Sequence, residues 1–302
     1  MSFTIAHLSD AHLSPAPFPP LAELRLKRFM GWVNWKRGRQ NLNDMEMLSR
    51  LVADLRAQQP DHVAMTGDIV NIALRSEFLR AVEWMRTLGD ENDVSFTPGN
   101  HDAYVRDAVE PVARSFAPWT RGDGVAAGAE KFPYLRVRGE VAIVGLNSGL
   151  PTAPLLASGR LGAGQLAALR GLLEETGEQG LARVILIHHP PLSSAPHPRL
   201  RGLDDAREFE AVVDECGAEA ILHGHTHKRL YNTLPSRATR HESGKIPVIG
   251  VPSCSADTPN LRLRAAYYLI GLERVGAAWR TQVRTRGLTP GENGIGEREA
   301  QL

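Results

Sequence analysis

Short apolar, β-branched runs alternate with helical stripes along most of this chain. The runs FTIAHL (3–8), HVAMT (62–66), VSFT (94–97), VAIVGL (141–146), VILIHH (184–189), EAILH (219–223) and IPVIGV (246–251) predict strands. Between them Leu48, Leu51, Val52 and Leu55 keep the i, i+3, i+4, i+7 spacing of a helix face, as do Phe78, Ala81, Val82 and Met85. Phe209, Val212, Val213 and Cys216 form a third stripe, and Leu166, Leu169 and Leu173 mark a helix in GAGQLAALRGLLEET. Strands alternating with helices predict an α/β layered domain with mixed sheets, closed by an antiparallel hairpin of AAYYLIGLE and AAWRTQVRTR around 274–276. Neither a repeat nor a second boundary interrupts the pattern, so one domain is expected over 1–286. GLTPGENGIGEREAQL (287–302) has the Gly, Pro and charge content of a disordered tail.

Composition changes this picture little, since 42% hydrophobic and 23% charged residues are ordinary globular usage. A net charge of +1 gives no global reason to bind nucleic acid, and none is expected. Cys216 and Cys254 lack metal-ligand spacing and read as buried thiols, which suits a reducing cytoplasm. The first residues lead into an apolar segment without a basic stretch, and no run approaches the ~20 apolar residues of a membrane span. A cytoplasmic location is the expectation.

Chemistry concentrates where the strands stop. The first runs into Asp10-Ala11-His12, the second into Gly67-Asp68, the third into Gly99-Asn100-His101-Asp102. VILI ends in His188-His189-Pro190 and AIL in His223-Gly224-His225-Thr226-His227. Ligand sites in α/β sheets assemble at the carboxyl ends of strands, so these distant residues are expected to meet in one crevice. Carboxylate, imidazole and amide oxygen suit Zn, Mn or Fe, and the missing thiolates argue for an open, catalytic site over a structural zinc. Two dications against two aspartates and one bound hydroxide leave roughly one positive charge, which attracts a phosphate oxyanion and stabilises charge developing on it. Singly, each motif is also what a turn or a hydrogen-bonded core residue looks like. The five together point to a site.

SDAH (9–12), TGDIV (66–70), PGNHD (98–102), IHHPP (187–191) and GHTH (224–227) resemble the five blocks of the calcineurin-like metallophosphoesterase family. The resemblance spans residues 4 to about 252. It implies an α/β fold of two mixed β-sheets packed face to face and flanked by helices, with two divalent or mixed-valence metal ions (Mn, Fe or Zn) at the strand ends. It implies further that Asp10, His12 and His227 hold one metal, that Asp68 bridges both, and that Asn100, His188 and His225 hold the other. His101 in this pattern is not a ligand. It protonates the leaving oxygen or steadies the transition state, with Asp102 orienting its ring, while a metal-bridging hydroxide attacks phosphorus in line. The doubled histidine leaves His189 for substrate contact or a place behind the ligands. His223 fits no ligand position and is expected to be held by a backbone carbonyl or to support the ligands from behind. His7, His62 and His241 read as packing or surface residues.

GLNSGLP (145–151), SGRLGAGQLAALRGLL (158–173) and HHPPL (188–192) resemble the branch that contains bacterial cyclic-nucleotide phosphodiesterases, which implies phosphodiester hydrolysis. The segment 24–39 departs from a compact enzyme of that kind: it holds six basic residues and no acidic one. Leu26, Phe29, Met30 and Val33 keep helical spacing, and Trp32 and Trp35 sit among Lys36, Arg37 and Arg39. A basic amphipathic insertion over 21–40 can pack its apolar stripe on the domain. Alternatively it can make peripheral contact with the inner face of the membrane and cap a site for a lipid-linked pyrophosphate or phosphodiester such as a UDP-acyl-sugar. A non-catalytic scaffold is disfavoured because all seven ligand positions and His101 are filled. A DNA nuclease is disfavoured because its capping domain finds little room after residue 252.

Overall fold

Alternation along the strands sorts the side chains into layers, and the layers fix where the strand ends meet. The computed structural model describes residues 2–194, 198–289 and 294–298. Its strands are β1 (Ser2–Leu8), β2 (His62–Met65), β3 (Val94–Phe96), β4 (Tyr134–Arg138), β5 (Val141–Gly145) and β6 (Ala182–Leu186). They continue with β7 (Ala220–His223), β8 (Leu230–Pro235), β9 (Lys245–Gly250), β10 (Ala266–Val275), β11 (Ala278–Leu288) and β12 (Ile295–Arg298). One sheet has the order β12-β11-β10-β1-β2-β3 and the other β4-β5-β6-β7-β9-β8. Each has a parallel stretch, β1-β2-β3 in one and β5-β6-β7-β9 in the other, flanked by antiparallel strands.

Ile5 of β1, Val184 and Leu186 of β6, and Tyr268, Ile270 and Leu272 of β10 are buried between the two sheets. Their neighbours Ala6, Ile185 and Leu269 point the other way, toward helices, as the two-residue period of a strand requires. The helices are α1 (Leu26–Arg37), α2 (Met45–Ala57), α3 (Arg75–Met85), α4 (Val109–Thr120), α5 (Gly162–Glu178), α6 (Pro198–Arg201) and α7 (Ala206–Cys216). The stripes of α2, α3 and α4 cover the outer face of the first sheet, and those of α5 and α7 the outer face of the second. Cys216 and Cys254 are free, buried thiols.

Two expectations need correction. Part of the segment read as a disordered tail is ordered: Ile295–Arg298 pairs with β11 from Thr285↔Arg298 to Leu288↔Ile295, and the Arg298 Nε donates to the Leu288 carbonyl at 2.6 Å. Residues 290–293 and 299–302 of that tail lie outside the described residues. The reading in which α1 packs its apolar stripe on the domain holds only in part, because the helix is rotated and leaves Met30 and Val33 half-buried. Its buried residues are Arg28 and Trp35, whereas Leu26 is 72% and Phe29 43% exposed.

The inward face of α1 explains the rotation. The Arg28 guanidinium donates to the carbonyls of Glu23, Ile72 and Ala73 and to Asp107, so burying it satisfies backbone acceptors of the loop after Asp68. Gly31 allows the helix to come close, since a Cβ there would lie 2.5 Å from the Tyr104 hydroxyl and 2.9 Å from Ile72 Cγ2. Lys27 sits over the Tyr104 ring and donates to the Thr152 carbonyl at 2.8 Å. The insertion is thereby fastened to loops around the carboxyl ends of the strands.

Candidate metal centre

The carboxyl ends of β1, β2 and β3 in one sheet and of β6 and β7 in the other deliver the sequence-predicted aspartate and histidine ligands to one place. Asp10, His12 and His227 bring ligand atoms within 4.8 Å of one another, and so do Asp10, Asp68 and His188. His12 Nε2 lies 3.2 Å from His227 Nε2, and His227 Nε2 lies 3.1 Å from Asp10 Oδ1. On the other side His188 Nε2 is 3.2 Å from His225 Nδ1. The Asp68 carboxylate stands between the two groups, with Oδ2 3.3 Å from His188 Nε2 and 4.0 Å from His12 Nε2.

The backbone is bent to achieve this. Asp10, His12, Asp68, His225 and His227 all have φ between 39° and 66°, a region that non-glycine residues rarely occupy. Strain of this kind persists where surrounding contacts over-determine the conformation, and here it falls on candidate ligands. Glycine is needed at two of the motifs for space. A Cβ on Gly99 would lie 2.1 Å from Asp68 Oδ1, and one on Gly224 would lie 1.9 Å from Ser9 Oγ and 2.6 Å from Asp10 Oδ2.

The donor set fits cations. His12 Nδ1 donates to the Val70 carbonyl at 3.2 Å and His188 Nδ1 to the Thr66 carbonyl at 2.6 Å, which turns each Nε2 toward the carboxylates. Asn100 Oδ1 is buried and accepts no hydrogen bond, an arrangement that is costly without a cation to receive its lone pairs. Burial opposes a charge on His188, yet the Asp68 and Asp10 carboxylates raise its pKa to about 9. Burial, followed by the charge of His188, instead pushes His225 down to about 3. Protons therefore cannot serve all these rings at once, and fixed metal charge can.

His101 stands within the same distance range of His12 and Asp68, but both its nitrogens are engaged. Nδ1 donates to the Asn71 carbonyl, and Nε2 lies 2.8 Å from Arg39 Nη1. Tyr104 stacks on the ring at 5.4 Å between centroids. Burial, then the Arg39 charge, lowers the His101 pKa to about 4, so the ring rests neutral.

Asp102 does something other than orient that ring. Its carboxylate accepts backbone N–H groups from Asp68 at 2.7 Å, Gly99 at 2.8 Å, Ile69 at 3.0 Å and Val70 at 3.3 Å. It pins the TGD and PGNHD loops together, and the Asn71 carbonyl holds His101 in its stead. Asp102→Ala is expected to lower the unfolding free energy by roughly 3 kcal/mol, read from urea denaturation, because four buried donors lose their acceptor. Slowed turnover in a variant with wild-type stability and full metal content would restore the ring-orienting role.

Of the two places expected for His189, at the substrate or behind the ligands, its burial favours the second. The ring is fully buried, its Nδ1 pairs with Ser148 Oγ at 2.8 Å, and the residue groups with His188 and His225. It stands beside these two candidate ligands because the GLNSGLP segment backs it. His223 Nδ1 is held by the Gly224 carbonyl at 3.1 Å. His7, His62 and His241 pair with Thr66, Ser95 and Ser243 hydroxyls and belong to none of the ligand groups. Sequence reasoning missed Asn71 and Arg39 at His101. The first acts through a backbone carbonyl, which leaves no trace in residue type, whereas the second lay in view as a basic residue of the insertion.

Comparison with known proteins places this geometry. A crystal structure of a dimetal phosphatase from Danio rerio superimposes with a TM-score of 0.59 at 15% identity, covering 98% of each chain. Purple acid phosphatase PPD1 from yellow lupin (Lupinus luteus) seeds gives 0.55 at 12% identity over 95% of this chain and 52% of its own. The protein TT1561 of Thermus thermophilus gives 0.50 at 14% identity over 93% and 99%. At these identities the likeness is one of fold. No curated protein matches the chain at significance. The family model for calcineurin-like phosphoesterases matches residues 3–229, a span that contains all five strand-end motifs, and the chain belongs to that family.

Proposed function

We propose that this protein hydrolyses a phosphodiester with two divalent ions, Mn, Fe or Zn, held by the strand-end ligands. Asp10, His12 and His227 hold one, Asn100, His188 and His225 the other, and Asp68 is shared. The position of the Asp68 carboxylate between the two imidazole groups carries this reading. When bound, such a pair supplies an ionised water nucleophile at neutral pH and stabilises charge developing at phosphorus. The protein's part is to hold the ligands on strained backbone, to exclude bulk water from buried Asp10, Asp68 and His188, and to set His101 at the rim as the group that assists the leaving oxygen. Preference for diesters is supported by the segment shared with the phosphodiesterase branch. It lies against the site, where a Cβ on Gly149 would be 2.6 Å from the Gly99 carbonyl oxygen and Ser148 holds His189. A turnover panel on metal-loaded protein tests it: cyclic nucleotides, glycerophosphodiesters, nucleotide-diphosphate lipids and simple monoesters, compared by kcat/KM. Higher kcat/KM for the monoesters would end the diester reading.

A second reading concerns where the substrate resides, and the exposed part of α1 favours it. Leu26 and Phe29 lie exposed on a helix whose outer face also carries exposed Arg25, Lys36 and Arg37, and Leu21 is 88% exposed just before it. Leu155, 83% exposed, lies in the loop tied to Lys27 through Thr152. Apolar groups flanked by cations suit the headgroup region of an anionic bilayer, and no described helix is long and apolar enough to cross one. On this reading the substrate is a lipid-linked pyrophosphate or phosphodiester, and the protein works at the inner face of the membrane. Leu26→Glu with Phe29→Glu is expected to abolish cosedimentation with phosphatidylglycerol vesicles and to leave hydrolysis of a soluble diester unchanged. Failure of the unaltered protein to sediment with such vesicles at low salt would remove the membrane from the account.

A further inference from the structure

One guanidinium reaches the metal centre without a carboxylate of its own. Arg39 opens the short 3-10 turn Arg39–Asn41 that follows α1, and its Nη1 lies 2.8 Å from His101 Nε2. Since His101 Nδ1 gives its proton to the Asn71 carbonyl, Nε2 bears the lone pair and Arg39 donates to it. Arg25 and Arg28 of the same insertion both reach Asp107. Among the described residues Arg39 makes no such ion pair. A guanidinium partnered by one neutral ring nitrogen keeps most of its five donors free, in a fork that matches phosphate oxygens.

Its position is built. Gly38 N donates to the Asn34 carbonyl at 3.1 Å, and just beyond the turn Asn43 Nδ2 donates to the His12 carbonyl at 3.3 Å and Asp44 N to the Ser255 carbonyl at 2.8 Å. With cations on the neighbouring ligands, Arg39 adds positive charge to a cationic site, and an entering anion relieves it.

We propose that Arg39 is a substrate-binding residue whose guanidinium exchanges His101 Nε2 for a non-bridging oxygen of the substrate's phosphoryl group. The exchange anchors the phosphoryl group and frees the imidazole nitrogen to face the leaving oxygen, so that substrate arrival and release of His101 are one event. The inference rests on the phosphoester reading of the centre.

The test is calorimetric titration of inorganic phosphate into the full-length, manganese-loaded protein, its Arg39→Ala and its Arg39→Gln variants. Both are expected to bind phosphate roughly 10–100-fold more weakly, the range of a charge-assisted hydrogen bond, and to lose a similar factor in kcat/KM. Manganese content and thermal unfolding are expected to match the unaltered protein. If Arg39→Ala loses manganese, the isotherm of Arg39→Gln decides. Unweakened phosphate binding in a fully loaded variant overturns the role of Arg39 and leaves the phosphoester reading standing. Absence of phosphate binding by the loaded, unaltered protein overturns that reading and this inference with it.

Discussion

Asp68→Asn is expected to leave a folded protein that has lost both metals and nearly all activity. The amide is isosteric, and its oxygen can still accept the His101 N–H that Asp68 Oδ1 receives at 2.7 Å, so the PGNHD loop keeps its place. What disappears is the charge that faces His188 at 3.3 Å and His12 at 4.0 Å. Burial disfavours that charge, but His188 and His101 hold the Asp68 carboxyl well below its ordinary range, which marks a site arranged around an anion. On the proposed reading this anion is shared by two cations, so its neutralisation weakens both at once. Loss of about 5 kcal/mol of transition-state stabilisation lowers kcat/KM by roughly 10³–10⁴-fold. Metal analysis and turnover on the same preparation check it. A metal-free Asp68→Asn protein that turns over at the unaltered rate would end the dinuclear account. The metal-free variant is also expected to be less stable than the metal-free parent at neutral pH, since the carboxylate that pairs with His188 is gone.

The sequence carried the site further than the fold around it, for a physical reason. Ligand residues of a strand-end site are clustered within each loop, so SDAH, TGD, PGNHD, HHP and GHTH declare their chemistry locally, and the parallel strands bring them together. The same locality made β5, β6, β7 and β9 legible as apolar runs, because they lie inside their sheet. Strands β4, β8 and β12 lie at sheet edges, where water takes one side and apolar patterning fades; β8, LYNTLP, is mostly exposed. The stripe of α1 was legible but its direction was not. Periodicity shows that one face is apolar, not what the opposite face meets, and here the carbonyls of Ile72 and Ala73 claim Arg28. Asp102 misled for a related reason. A carboxylate next to a catalytic histidine in sequence reads as its partner, yet in a tight loop the nearest donors are backbone N–H groups, and four of them surround it.

His101→Ala is expected to retain both metals and to slow turnover by roughly 10²–10⁴-fold, the range of a lost general acid or base. The division follows from the ring's contacts. Both nitrogens are engaged, one by the Asn71 carbonyl and one by Arg39, so deleting the ring removes no ligand. The resting ring, with its pKa lowered to about 4 by burial and by Arg39, has no proton to give from Nε2. A phosphoryl anion that draws Arg39 away and brings negative charge beside the ring reverses the second of these effects, and the proton is then acquired in the presence of substrate. Its value depends on how much help the leaving oxygen needs. A p-nitrophenyl diester, whose leaving group departs readily as an anion, should lose little in the variant, whereas a diester with an alkyl leaving group should show the full penalty. Equal penalties for the two substrates would mean that His101 steadies the phosphoryl group without transferring a proton. A lost metal equivalent would make it a ligand after all.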